Sequence, residues 1–212
     1  MWVSELWRYP VKSMAGEAIQ SAILTPNGID GDRILHVAGP NGRVMTARTR
    51  PKLLGHRATL GRSGEPLVDG RAWDSVEVAR TVEEAAGPGC RLARSEGPER
   101  FDILPLLVTT DGAIEAAGYD GRRFRPNIVI GGVSGLGERS WEGDSVRIGA
   151  CVIGVEDLRQ RCIMITFDPD TLRQDVAVLR RIQREFGGVL GLNCRVHIPG
   201  TIQIDDPVEL PD

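Results

Sequence analysis

The chain has 212 residues, a formal charge of −3, 41% hydrophobic and 26% charged residues. That composition supplies a full core for one large domain or two small ones and excludes a disordered chain, while the slight acidity excludes broad nucleic-acid binding but not a local basic pocket. No stretch approaches the about 20 apolar residues of a membrane helix. The opening MWVSELWRYPVK lacks the basic region and apolar run of a secretory signal, so a soluble cytoplasmic protein is expected.

In chain order, the first feature is RYPVKSMAGE at residues 8–17. Pro10 restricts Tyr9 to an extended conformation, so a strand should run into Lys12-Ser13 and turn at Gly16. Lys12 and Lys52 are the only lysines; every other basic residue in the Lys+Arg count is arginine. GIDGDR is a turn, with Arg33 opening the next strand. RILHVAGPNGRVMTA places two apolar runs around Gly39-Pro40-Asn41-Gly42 and predicts a hairpin. If its second strand continues, Thr46, Arg48 and Arg50 share one face. DSVEVAR is expected as a strand. Thr81 and Glu84 fit a capping box that opens a short helix ending near Gly87. ARSEGPERF, residues 93–101, suits a surface connection, which divides the chain into 1–95 and 96–212.

In the second half, Asp111 can cap a helix through Ala117, with Gly118 just beyond it. RPNIVIGG, DSVRIGACVIGVED and CRVHIPGTIQI read as strands. The clearest helix is DVAVLRRIQREFGG, with Asp175 as cap, Leu179, Ile182 and Phe186 on one stripe, and Gly187 as stop. Strands outnumber helices, so the fold class is mainly β with a few helices and a barrel-like architecture.

Several stretches carry groups with chemical potential. Lys12 and Ser13 offer an ammonium, a hydroxyl and a backbone N–H at one point, a combination that suits a phosphate; the alternative is a solvated lysine at a strand end. Asn127, after Arg125-Pro126, offers an acceptor and two donors that match a heterocycle edge, or simply begins a strand. Cys162 lies between Arg159/Arg161 and an apolar run. Adjacent guanidinium charge favours the thiolate, which ligates soft metals or acts as a nucleophile. A small core thiol is the alternative. Cys90, Cys151 and Cys194 form no C-x-x-C pair with it, and His36, His56 and His197 are isolated, so neither an iron–sulfur cluster nor a histidine metal motif is expected.

The ordered set YPVKS, DR, TAR, RPN, RC-x-x-T-x-DPDT and PGTI resembles the MOSC family, the molybdenum-cofactor sulfurase C-terminal type, and within it the branch containing the mitochondrial amidoxime reducing component. The resemblance runs nearly end to end. It implies an N-terminal β-rich unit followed by a β-barrel MOSC domain, with a molybdenum pyranopterin dithiolene, the molybdenum cofactor, between them. The family's metal-ligating cysteine falls on Cys162. Its Lys-Ser pair falls on Lys12 and Ser13, its Asp-Arg arginine on Arg33, its Arg-Pro-Asn pair on Arg125 and Asn127, and its central-strand hydroxyl on Thr110. Asp205-Asp206 stands where the family has a Gly-Asp turn, a change that should touch a hairpin rather than the metal.

The implied activity is reduction of small N-hydroxylated compounds. The chain has neither the cysteines nor the length for a fused ferredoxin domain and no G-x-G-x-x-G fingerprint, so electrons should come from a separate transfer protein. No side chain stands out as a general acid; Asp168 or a water is the candidate. The alternative function is a carrier of the cofactor, or of a persulfide sulfur on Cys162.

Overall fold

The computed structural model describes residues 1–95, 97 and 100–210. The N-terminal half contains β1 (Trp2–Arg8), β2 (Glu17–Ile19), β3 (Ser21–Thr25), β4 (Gly28–Ile29), β5 (Leu35–Ala38), β6 (Val44–Met45), β7 (Ala58–Leu60), β8 (Pro66–Val68), β9 (Arg71–Ala72), α1 (Val76–Ala86) and β10 (Arg91–Arg94). The C-terminal half contains β11 (Leu106–Thr110), α2 (Asp111–Ala117), β12 (Ile128–Gly131), β13 (Ser145–Ile148), β14 (Cys151–Gln160), α3 (Val176–Phe186), β15 (Val189–Ile198), β16 (Gly200–Gln203) and β17 (Val208–Glu209). The protein is mainly β with three α-helices among the described residues.

An eight-stranded sheet runs in the order β17-β13-β14-β15-β11-β12-β1-β2. Only β11 and β12 are parallel neighbours; the other pairs are antiparallel. β1 therefore pairs across the halves, with Leu6 opposite Ile128. β16, from the C-terminal half, likewise joins β3 and β4 in a small sheet. The core follows the sheets. Val3, Leu6, Leu24 and Ile29 are buried with Val108, Ile130, Ile153 and Leu192. A second cluster gathers Val11, Met14, Leu35, Val37, Leu53 and Val68 against α1, and a third packs Phe124 and Ile165 against Ile182 and Phe186. Each such side chain contributes about 1.5–3 kcal/mol of burial.

The hairpin at 35–45, the strands of 145–160 and α3 form as the sequence predicts. Asp175 accepts from the Ala177 amide at 2.9 Å, and Gly187 ends α3 at φ 67°. α3 buries Val178 as well as Ile182 and Phe186, while Leu179 lies partly buried at the stripe's flank.

Other expectations are corrected. DSVEVAR is the start of α1 rather than a strand: Ser75 Oγ accepts from the Val78 amide at 3.3 Å. Val76 and Val78 mimic a period of two, but the buried set Val78, Val82, Ala85 and Ala86 is helical. Thr81 lies inside this helix, its hydroxyl donating to the Glu77 carbonyl. The cap of α2 is Thr110, which accepts from the Ala113 amide at 3.1 Å, while Asp111 takes the amides of Gly132 and Val133. Beyond β6, Thr46–Arg50 is a turn, with the amides of Thr49 and Arg50 both donating to the Thr46 carbonyl, so the three side chains do not share a strand face. Asp205 accommodates φ 68° in the 203–206 turn, and Asp206 Oδ2 accepts from the Gln203 amide at 2.8 Å. In the connection expected at 93–101, Glu96, Pro98 and Glu99 lie outside the described residues.

Candidate functional site

Cys162 stands where β14 has ended, as the residue before a 3-10 turn over Ile163–Thr166. It is half-buried, unlike the buried Cys90, Cys151 and Cys194. It opens on a cavity of about 60 Å³ that draws Lys12, Ser13 and Arg33 from the loops of the N-terminal half and Arg125, Arg159 and Arg161 from the C-terminal half. Six non-glycine residues have φ in the left-handed region among the described residues, and three of them, Ser13 (72°), Arg33 (51°) and Arg125 (54°), line this cavity. Such conformations cost about 1–3 kcal/mol each and persist where the surroundings impose them, as functional sites do.

Among the described residues, the cavity wall carries seven cations (Lys12, Arg33, Arg48, Arg123, Arg125, Arg159 and Arg161) against the single carboxylate of Asp102. Lys12 Nζ lies 3.0 Å from Asp102 Oδ1 and donates to the Arg100 carbonyl at 3.1 Å, while Arg48 Nη2 reaches Asp102 Oδ2 at 2.6 Å. Burial pushes the Asp102 carboxyl up, but Lys12, Arg48 and Arg159 outweigh it and hold it at about 2. Arg33 pairs with the fully buried Asp32, whose other oxygen accepts from the Tyr9 amide at 2.7 Å. Arg125 donates to the Met14 carbonyl at 2.7 Å and covers the Tyr9 ring.

Arg161 is the outlier. Its Nη2 donates to the Phe124 carbonyl at 2.7 Å, but Nε and Nη1 are buried with no hydrogen-bond partner among the described residues. Burial, with Arg159 beside it, lowers its pKa to about 9, so it remains a cation at neutral pH. Two buried charged donors without acceptors are costly unless an anion completes them. Arg48, Arg159 and Arg161 all act electrostatically on Cys162, so a thiolate there is surrounded by positive charge.

The structure thus brings together Cys162, Lys12, Ser13, Arg33 and Arg125. Asn127 lies one layer behind. It lines a small void of about 30 Å³ with Arg33, Arg159 and Asn193. Its buried amide bonds mainly to the backbone, accepting from the Leu107 amide at 3.1 Å and donating to the Trp7 carbonyl at 3.3 Å, with Oδ1 also 3.5 Å from Arg33 Nη1. Thr110 is not brought to the cavity: it stands at the far end of β11, buried, capping α2 and bonded to Glu138 at 3.2 Å. Arg50 turns away to the Ala86 carbonyl, whereas Thr46 and Arg48 do line the site. Asp168 is fixed as an acceptor. It takes the Thr171 amide and hydroxyl and the Arg123 guanidinium, contacts that hold it below the usual carboxylate range, so it is a poor proton donor.

Nothing in the local sequence points to Asp102 or Arg123, each of which joins the site only through the chain's path. A second cavity of about 410 Å³, lined by Trp7, Tyr9, Arg57 and Phe167 among others, shares Arg123, Arg125 and Met164 with the first.

Residues 1–99 match the MOSC N-terminal beta barrel domain, and residues 110–209 match the MOSC domain. The chain is similar to mitochondrial amidoxime-reducing component 1 of Mus musculus, at 26% identity over 98% of this chain and 82% of that protein. It is similar at 25% identity to the Homo sapiens protein of the same name, with the same coverage. Its fold resembles the crystal structure of the YuaD protein from Bacillus subtilis, with a TM-score of 0.50 at 14% identity over 99% of this chain and 98% of that one. With both domain matches lying in order along nearly the whole sequence, the chain belongs to the MOSC family.

Proposed function

We propose that the protein is a molybdenum-cofactor-dependent oxidoreductase that reduces N-hydroxylated compounds with electrons from a separate transfer protein. The observation that carries this reading is Arg161: a buried guanidinium with two unpartnered nitrogens, next to the one half-buried cysteine of the chain. The donor set fits an anionic, sulfur-ligated group. A thiolate at Cys162 is a suitable ligand for a soft metal. Lys12, Ser13 and Arg33, all from the N-terminal half, would hold the terminal phosphate through charge-assisted bonds. Arg161 would complete its bonding on the anionic centre. The adjoining 410 Å³ cavity offers room for an organic body that the 60 Å³ cavity lacks.

When bound, the molybdenum centre supplies acceptance of the oxygen atom from an N–O bond. Overall, the N–OH bond is exchanged for N–H, two electrons and two protons enter, and water leaves. The chain's own contribution is binding, orientation and electrostatics. Asn127 and Asp32 hold Arg33 in place, Tyr9 and Met14 hold Arg125, and the cations of the cavity wall suit an anionic ligand. Asp102, at the cavity, and Asp168, at the adjoining one, are both held ionised, so protons are assigned to water.

The test is molybdenum and pterin content of protein purified from a molybdenum-replete host. Near-stoichiometric molybdenum supports the reading; labile sulfur on Cys162 without metal supports a sulfur carrier instead. A Lys12→Ala, Arg33→Ala double variant should lose cofactor about tenfold or more, given about 1.5–3 kcal/mol per charge-assisted bond. Full retention refutes the phosphate assignment.

A further inference from the structure

Asp102 sits in an irregular strap, Phe101–Leu104, that joins the two halves ahead of β11. None of the strap's backbone N–H groups donates to another backbone carbonyl among the described residues. What holds it is side chains: Phe101 is buried under the Arg100 guanidinium, and Asp102 reaches three cations of the cavity wall. Its carboxylate lies 3.0 Å from Lys12, 2.6 Å from Arg48 and 3.8 Å from Arg159, while the next residue, Ile103, is exposed. A carboxylate in that position satisfies, at one negative charge, a set of donors that suits a tetrahedral dianion.

We propose that Lys12, Arg48 and Arg159 form an oxyanion site whose built-in occupant is Asp102, and that a phosphate-type dianion exchanges with this carboxylate and frees the strap. The dianion outcompetes Asp102 because it brings two charges and more acceptor oxygens to the same three donors. Displacement costs the strap little, because among the described residues no backbone bond donated by the strap has to break. Exchange would also enlarge a cavity that, with Asp102 in place, is only about 60 Å³. The inference rests on the cofactor reading only for the identity of the natural ligand, a terminal phosphate. The site itself can be probed with inorganic phosphate, whatever the metal content of the protein.

The experiment has two arms. In the first, calorimetric titration with inorganic phosphate should give about tenfold tighter binding to Asp102→Asn than to the unaltered protein, and weaker binding to Arg48→Gln. In the second, limited proteolysis of the unaltered protein is followed at Phe101–Leu104. Phosphate should speed cleavage there several-fold, whereas a strap that merely helps to grip the ligand would be protected. Equal or weaker phosphate binding by Asp102→Asn, slowed cleavage in the strap, or no phosphate binding at all overturns the proposal. If Asp102→Asn does not fold, the proteolysis arm decides.

Discussion

The Arg125 guanidinium lies 4.3 Å from the centroid of the Tyr9 ring, and the Tyr9 hydroxyl donates to the carbonyl of Pro126, the residue after Arg125, at 3.1 Å. The two residues thus clasp each other across the seam between the halves. Burial raises the Tyr9 phenol well above its ordinary value, so it stays a neutral donor throughout the working range.

Breaking this clasp should loosen the seam. Tyr9→Phe strands the Pro126 carbonyl and should cost about 1–1.5 kcal/mol. Arg125→Ala removes the cation, the bond to Met14 and the packing, and should cost about 2–4 kcal/mol. Urea unfolding monitored by tryptophan fluorescence measures both. An Arg125→Ala protein as stable as its parent would mean that the seam does not depend on this residue.

Thr110 is expected to act on stability alone. Thr110→Val removes the cap of α2 and leaves the buried Glu138 carboxyl without its hydroxyl partner, a combined cost of about 2 kcal/mol. Cofactor content of the folded fraction should be unchanged. Loss of molybdenum at unchanged stability would instead place Thr110 in the binding site.

Asp102 sets a pH dependence. Its carboxyl is about 2 in the folded protein, below the unfolded value. The charge cluster therefore stabilises the fold fully above about pH 4, and that contribution, of order 2 kcal/mol, is lost as pH falls through about 2. Stability measured against pH should fall in this window, and Asp102→Asn should flatten the fall. A variant with the parent's acid profile would count against the cluster.

The four cysteines should separate cleanly. Cys162→Ser should abolish reduction of N-hydroxylated substrates, because a hydroxyl does not replace a thiolate on a soft metal. Ser at Cys90, Cys151 or Cys194 buries a hydroxyl and should cost about 1–3 kcal/mol of stability without removing activity. The assay needs an artificial one-electron donor; a nicotinamide alone should give no turnover. Wild-type turnover by Cys162→Ser, or steady nicotinamide oxidation by the pure chain, would sink the assignment.

Strand-rich segments bounded by glycine and proline were legible because alternation and turn chemistry are local signals. α1 was not, since Val76 and Val78 alternate like a strand and only the later Val82, Ala85 and Ala86 reveal the helix. Lys12, Ser13, Arg33, Arg125 and Cys162 could be named from motif residues, and the fold brings them to one cavity. Asp102 could not be named, since a lone aspartate in RFDIL has no local mark and gains its meaning only beside Lys12 and Arg48. Asn127 has the donors and acceptors the sequence promises, yet they are taken by Leu107, Trp7 and Arg33, a fact no spacing reveals.

The pairing of β1 with β12 also governs the order of events during synthesis. Leu6 leaves the ribosome long before its partner Ile128 exists. Until then the first strand presents an apolar face and an open edge, the kind of surface that invites association with other chains. The central sheet closes only after most of the polypeptide has emerged, so maturation is dominated by distant contacts and is correspondingly slow. That one strand's position therefore leaves the nascent N-terminal segment without its long-range partner until the residues around Ile128 are made.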